Sequence, residues 1–154
     1  MPASRRIPRA RHVPRGFTLI EIMVVVVIIA ILASLVAPQV MSRIDEARVT
    51  KAKNDLRLYE SALDLYRMDN YKYPTTDQGL RALVEKPNDP NLKNWRADGY
   101  VKQLQQDPWD HDYVYVSPGT NGAPYDLYSL GADGQPGGQG LDADLYSREM
   151  SKQQ

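Results

Sequence analysis

The 154-residue chain contains no cysteine and only two histidines, His12 and His111. Zero cysteines exclude a disulfide framework, a Cys-ligated zinc site and an iron–sulfur cluster. Two histidines, one of them in a basic N-terminal stretch, leave a His-rich metal site without ligands. The nucleotide-binding loop G-x-x-x-x-G-K-[ST] is absent, and so is any Ser/His/Asp spacing that would suggest a hydrolase. Net charge is missing as well, with 19 Lys+Arg against 19 Asp+Glu. That balance is unevenly laid out. Residues 1–16 carry Arg5, Arg6, Arg9, Arg11 and Arg15 and no acid, leaving 14 bases against 19 acids in residues 17–154. An ordinary nucleic-acid binder keeps its basic charge in the folded part, whereas this folded part is acidic, so no nucleic-acid partner is expected.

What the chain does have is one long apolar run. Residues 17–40 read FTLIEIMVVVVIIAILASLVAPQV, and from Ile22 to Ala37 only Ser34 is polar. At ~1.5 Å per residue the stretch spans a hydrocarbon layer of ~30 Å. The preceding arginines predict a cytoplasmic N-terminus and an exported C-terminal part. A secretory signal would place its cleavage site after the apolar segment. Here Val36-Ala37-Pro38 is a poor site, because proline follows the cut; Gly16, before the run, is the small residue that stands out. An uncleaved membrane anchor is the plainer alternative.

Glu21 distinguishes the two. A carboxylate in hydrocarbon costs a few kcal/mol even on lenient insertion scales, so it calls for a partner or a function. An acid reaching from near the headgroups toward water is the bland reading. Cleavage after Gly16 would instead create an amine on Phe17, which the Glu21 carboxylate of a neighbouring copy would neutralise, each charge being costly alone. Pairing of that kind would favour assembly and set its register.

The segment Arg15-Gly16-Phe17-Thr18-Leu19-Ile20-Glu21, followed by an apolar helix, resembles the class III signal of type IV pilins and pseudopilins. The resemblance implies cleavage between Gly16 and Phe17 by a prepilin peptidase/methyltransferase, N-methylation of Phe17, and retention of the helix as membrane anchor and filament core.

After Pro38 the pattern becomes amphipathic. Ile44, Ala47, Ala52, Leu56, Tyr59, Leu63 and Tyr66 recur at mostly three- and four-residue steps, as one apolar helix face requires. No glycine falls between Gly16 and Gly79, so one helix from about residue 17 to 68 is predicted, about 75–80 Å long. Pro38 should kink it or open it locally. A short helix over residues 78–85 is predicted, capped by Thr76 or Asp77 and ended by Lys86-Pro87. Residues 86–99 read as an exposed loop. The alternating runs 113–117 and 125–130, joined by a Gly/Pro/Asn-rich connection, read as a hairpin. All ten tyrosines lie from Tyr59 onward, an aromatic supply suited to a small core. The division expected is a leader at 1–16, an apolar helix at 17–40, a head at 41–146 with helix 41–68 and hairpin region 113–130, and a frayed polar tail at 147–154. The fold class is α+β.

Tyr66-Arg67-Met68-Asp69-Asn70, the run 73–84 (YPTTDQGLRALV), Asp107-Pro108-Trp109, and Ser129-Leu130-Gly131-Ala132-Asp133-Gly134 with Gly137-Gly138 resemble the major-pseudopilin (GspG) family of type II secretion. The likeness runs from Gly16 to about Leu145. It implies a type IV pilin-like fold and a self-assembling filament subunit, not an enzyme, in the inner membrane with a periplasmic head. Its implied partners are minor pseudopilins and the inner-membrane assembly platform. Filament growth, driven by an ATPase elsewhere in the system, would export folded proteins. A type IV or competence pilin is the nearest alternative; a membrane-tethered enzyme or binding module finds no support in the residues.

Residues 130–145 (LGADGQPGGQGLDADL) combine three aspartates with glycines that let carbonyls turn inward. Such a loop offers hard oxygens of the kind Ca²⁺ takes at ~2.3–2.6 Å, from Asp133, Asp142 and Asp144, though without the EF-hand order. A solvated acidic loop is the alternative. The family resemblance implies a structural calcium site here, carried onto Asp133, the Leu130 carbonyl and either or both of Asp142 and Asp144. Gly140 stands where the family often has an acid, and Tyr146 lies near the place of a family tryptophan. The triplet Asp110-His111-Asp112 reads as a solvated turn, since alternate residues face opposite ways.

Overall fold

The computed structural model describes residues 16–150; residues 1–15 of the expected leader and 151–154 of the expected tail lie outside the described residues. The chain divides into two compact units, one ending at Met41 and one beginning at Ser42.

Both units share the chain's dominant element, α1 (Leu19–Asn70), which is 52 residues long and runs through Pro38 as a single helix. Of the two outcomes expected at Pro38, a kink or a local opening, the second is not seen: the helix is continuous through it. In the first unit the apolar side chains are exposed on every side, from Leu19 (81%) to Val25 (47%). A helix apolar all round finds its partners outside its own chain. Ser34, the polar residue within the run, donates its hydroxyl to the Ile31 carbonyl at 2.7 Å, so it carries its own acceptor into an apolar medium.

In the second unit α1 supplies one wall of the core. Ala52, Leu56, Tyr59, Ala62, Leu63 and Tyr66 are buried, and Leu80, Leu83, Leu92, Tyr113, Tyr115 and Leu127 close over them. Ile44 and Ala47, expected on the same face, are exposed; burial starts only at Ala52. The helix ends at Asn70, whose side-chain amide donates to the Tyr66 carbonyl and to the Tyr100 hydroxyl. Tyr71 follows in the left-handed region at φ 62°, its N–H donating to the Arg67 carbonyl.

The predicted helix over 78–85 is a four-residue 3₁₀ turn, Leu80–Leu83. Its cap is neither Thr76 nor Asp77. Its N-cap is Gly79, without a side-chain cap bond, while Thr75 and Gln78 close the turn before it: the Thr75 hydroxyl accepts from the Gln78 N–H and the Gln78 side chain accepts from the Thr75 N–H. Thr76 is occupied elsewhere, exchanging two hydrogen bonds with the Ser117 backbone. The loop at 86–99 is pinned rather than free. Trp95 donates from Nε1 to the Ala82 carbonyl, Leu92 is buried, and the ion pairs Lys72–Asp89 and Arg96–Asp69 tie its ends to the helix terminus.

The sheet is antiparallel in the order β1 (Val114–Val116), β2 (Asp126–Ser129), β3 (Leu145–Tyr146). The hairpin was legible from alternation; the third strand was not. It pairs Ser129 with Leu145 and stacks Tyr128 on Tyr146 at 4.7 Å between ring centres. Beyond it, residues of the expected frayed tail form the turn of helix α2 (Ser147–Met150). Ser147 is buried, and Arg148 Nη1 reaches Asp126 Oδ1 at 2.7 Å and lies over the Tyr146 ring. A buried carboxylate needs such a partner, and the cation it found holds the tail in place.

Candidate functional site

Two places carry the residues singled out by sequence, one in each unit. In the first unit, Gly16, Phe17 and Thr18 precede α1 in an exposed, non-helical segment, Phe17 being 79% exposed. Around Gly16 a Cβ would meet nothing within 4 Å. Glu21 sits in the first turn of α1 and bends back: its Oε2 accepts from the Thr18 N–H, and the Thr18 hydroxyl accepts from the Glu21 N–H, both at 3.3 Å. This T-x-x-E capping box satisfies two otherwise orphaned donors of the helix N-terminus. The negative carboxylate also lies at the favourable end of the helix dipole. The sequence carries that signal at 18–21, and neither expectation for Glu21, an acid reaching toward water or a partner for a neighbouring amine, includes this internal cap. In the single chain the carboxylate already has an internal partner, one residue from Phe17.

In the second unit, the loop of residues 130–144 connects β2 to β3. Pairing of Ser129 with Leu145 places Leu130 and Asp144 side by side where the two strands part. The loop folds back on itself: the Ala132 N–H donates to the Leu141 carbonyl and the Asp144 N–H to the Gly137 carbonyl. Gly131, at φ 70°, is approached so closely that a Cβ would stand 2.8 Å from the Ala143 oxygen and 2.9 Å from the Leu141 oxygen. Only glycine admits backbone carbonyls at that range.

The four residues expected to bind a metal are not equivalent. Asp144 is half-buried; its Oδ2 accepts from the Gly137 N–H at 3.1 Å, while its Oδ1 is buried with no hydrogen-bond partner. A buried carboxylate oxygen left without a donor is costly, and a cation would remove the cost. Asp133 is exposed and its Oδ1 accepts from the Gln135 N–H at 3.0 Å, an Asx turn. Asp142 is exposed, its backbone N–H donating to the Gln139 carbonyl. Among the described residues no three His, Asp or Glu side chains converge. A cation at this loop would therefore rest on backbone carbonyls with few carboxylates, an all-oxygen donor set that suits calcium and not a transition metal. Apart from its three aspartates the loop has no charged side chain, and its glycines leave backbone carbonyls accessible, so the residues present fit such an ion.

The sequence reading passed over three residues that hold this loop. Asp110 and Asp112 are exposed as expected, but His111 turns inward, with Nδ1 3.2 Å from the Gly131 carbonyl and its ring against Gly134. Asp107 is buried and takes Ser129, also buried, as a hydrogen-bond donor. The one local clue was an aspartate followed by Pro108 and a turn, a position where Asx side chains bind the backbone two residues on.

A long helix with a bare apolar half, carrying a small antiparallel head, defines a type IV pilin-like filament subunit. The family described as type II secretion system, protein G matches residues 39–148, and the prokaryotic N-terminal methylation motif matches residues 11–37. Type II secretion system core protein G of Pseudomonas aeruginosa is 60% identical over 88% of this chain and 95% of its own length. The protein of the same name in Vibrio cholerae is 54% identical over 84% and 88%, and that of Escherichia coli K12 is 50% identical over 94% and 97%. The crystal structure of the major pseudopilin of the type 2 secretion system of enterohaemorrhagic E. coli superposes with a TM-score of 0.59 at 46% identity, covering 69% of this chain and 90% of that one. The chain belongs to the type II secretion protein G family, that of the major pseudopilin, and is a structural pseudopilus subunit.

Proposed function

We propose that the chain is cut between Gly16 and Phe17, N-methylated on Phe17, and polymerised through α1 into a pseudopilus whose growth moves folded proteins across the outer membrane. The observation that carries this reading is the first half of α1, apolar and exposed all round, with one carboxylate at its start. Such a surface is stable in only two settings, lipid or the packed core of a filament, and transfer between them is the elementary step of assembly. Glu21 can exchange its internal cap on Thr18 for the Phe17 amine of a neighbouring subunit, which replaces a neutral donor with a charged one. The N-terminus lies on the cytoplasmic side and the head in the periplasm, following the basic residues 1–15. The processing peptidase, the minor pseudopilins and the inner-membrane platform are its partners, and the chain itself performs no chemistry.

The head takes up a calcium ion at the loop of residues 130–144. Asp144, with its unpartnered Oδ1, serves as the downstream carboxylate in preference to Asp142, alongside Asp133 and the Leu130 carbonyl. Calcium there would neutralise the loop and hold β2 to β3. Mass spectrometry of the mature N-terminus tests the maturation reading. A peptide beginning at N-methylated Phe17 is expected; a chain that retains residues 1–16 in cells containing the peptidase overturns it.

A further inference from the structure

The calcium loop is anchored at its first peptide by a buried acid that is not itself in the loop. Asp107 is 3% exposed, and its side chain is wholly buried. Its Oδ1 accepts from the N–H groups of Trp109 (3.0 Å) and His111 (2.9 Å). Its Oδ2 accepts from the Ser129 hydroxyl at 2.5 Å, a charge-assisted contact. With its hydroxyl hydrogen directed at Asp107, the Ser129 oxygen keeps its lone pairs as acceptors, and the Gly131 N–H donates to it at 3.2 Å. Ser129 is fully buried and closes the last rung of β2 with β3.

The geometry of one peptide unit gives this chain of bonds its consequence. The Gly131 N–H and the Leu130 carbonyl belong to the same planar trans peptide and point to opposite edges of it. Pinning the N–H on Ser129 therefore turns the Leu130 oxygen away from the buried Ser129–Asp107 pair. His111 holds the other end of the same residue, its Nδ1 donating to the Gly131 carbonyl, since a carbonyl can only accept. Gly131 is thus held at both its N–H and its carbonyl, and rotating the Leu130–Gly131 peptide would break the bond to Ser129.

We propose that Asp107, acting through Ser129, is the positioning residue of the cation loop: it sets the Leu130 carbonyl before any ion arrives. The inference rests on the reading of residues 130–144 as a calcium site. Outer-shell groups of this kind change metal affinity by ~10–100-fold when removed.

Calcium titration of the full-length mature chain in detergent, using calcium chloride, tests it alongside amide hydrogen exchange of the metal-free protein. Ser129→Ala and Asp107→Asn are expected to weaken calcium binding by ~10–100-fold, and Ser129→Ala to speed exchange of the Gly131 amide while core amides of α1 are unchanged. Asp144→Asn should abolish binding and leave Gly131 exchange as in the unmutated chain. A purely structural role for Asp107 would lower the melting temperature equally with and without calcium and leave the affinity of the folded protein untouched; that result overturns the proposal. So does Gly131 exchange unaffected by Ser129→Ala. If the unmutated chain binds no calcium, the reading of the loop as a calcium site fails and the positioning role falls with it. Binding that is normal in both variants removes the positioning role alone.

Discussion

Replacing Arg148 with alanine tests the finding that the chain's final segment is part of the head. The guanidinium lies 2.7 Å from Asp126, whose side chain is only 6% exposed, while that of Arg148 is 39% exposed. Removing one partner of a fully buried pair costs 3–5 kcal/mol because the other charge is stranded. Here one side of the pair faces water, and Asp126 keeps the Thr120 N–H at 2.7 Å as a donor, so a loss of about 2 kcal/mol is expected. The contact with the Tyr146 ring adds about 0.5 kcal/mol. For a domain of this size that corresponds to a fall in melting temperature of about 10 °C, followed by circular dichroism of the detergent-solubilised chain. Adding Asp126→Asn should recover part of the loss, because a neutral amide needs no countercharge. A frayed tail would make Arg148→Ala silent. A change below about 0.5 kcal/mol, the level of an ordinary surface substitution, would refute the clamp.

Three other outcomes follow from particular residues. Glu21→Ala should insert into membranes and be processed but form few filaments, seen by electron microscopy and a secretion assay; normal filaments would contradict the charge-pairing role. Tyr71→Asn should raise stability by about 0.5–1 kcal/mol, because Asn tolerates the left-handed φ of 62° and the tyrosine ring, 86% exposed, loses little packing; a lower melting temperature would count against it. Burial pushes the Tyr66 and Tyr115 hydroxyls up to about 12, and burial followed by the Asp55 hydrogen bond pushes Tyr113 higher still. A raised tyrosine favours the fold fully below pH ~10, the unfolded value, and its contribution is lost as pH climbs toward 12. Thermal melts should thus be flat from pH 7 to 9 and fall steeply from pH 10 to 12; flat curves at pH 11.5 would show the rings to be exposed.

The parts of this protein legible in its sequence are those built from neighbours. An unbroken apolar run and then a 3.6-residue periodicity with no glycine before Gly79 specify α1, because a helix bonds residues four apart. The processing signal at 15–21 and the hairpin of 113–117 with 125–130 are equally local, and both families of signal led to the right class. The reciprocal bonds of Thr18 with Glu21 and of Thr75 with Gln78 are local too, yet the sequence reading assigns no cap at Thr18 and places the other at Thr76 or Asp77.

Tertiary structure alone decided the rest. Strand β3 is two residues long and polar around it, so no periodicity marks it; it exists because Ser129 and Leu145 meet across fifteen loop residues. That meeting places Asp144 beside Leu130 and leaves its Oδ1 buried, whereas Asp133 and Asp142 stay exposed. Asp107 reaches Ser129 across 22 positions, as Arg148 does Asp126. Partners so far apart are chosen by which groups burial leaves without water, and that is settled only when the chain has closed around its core.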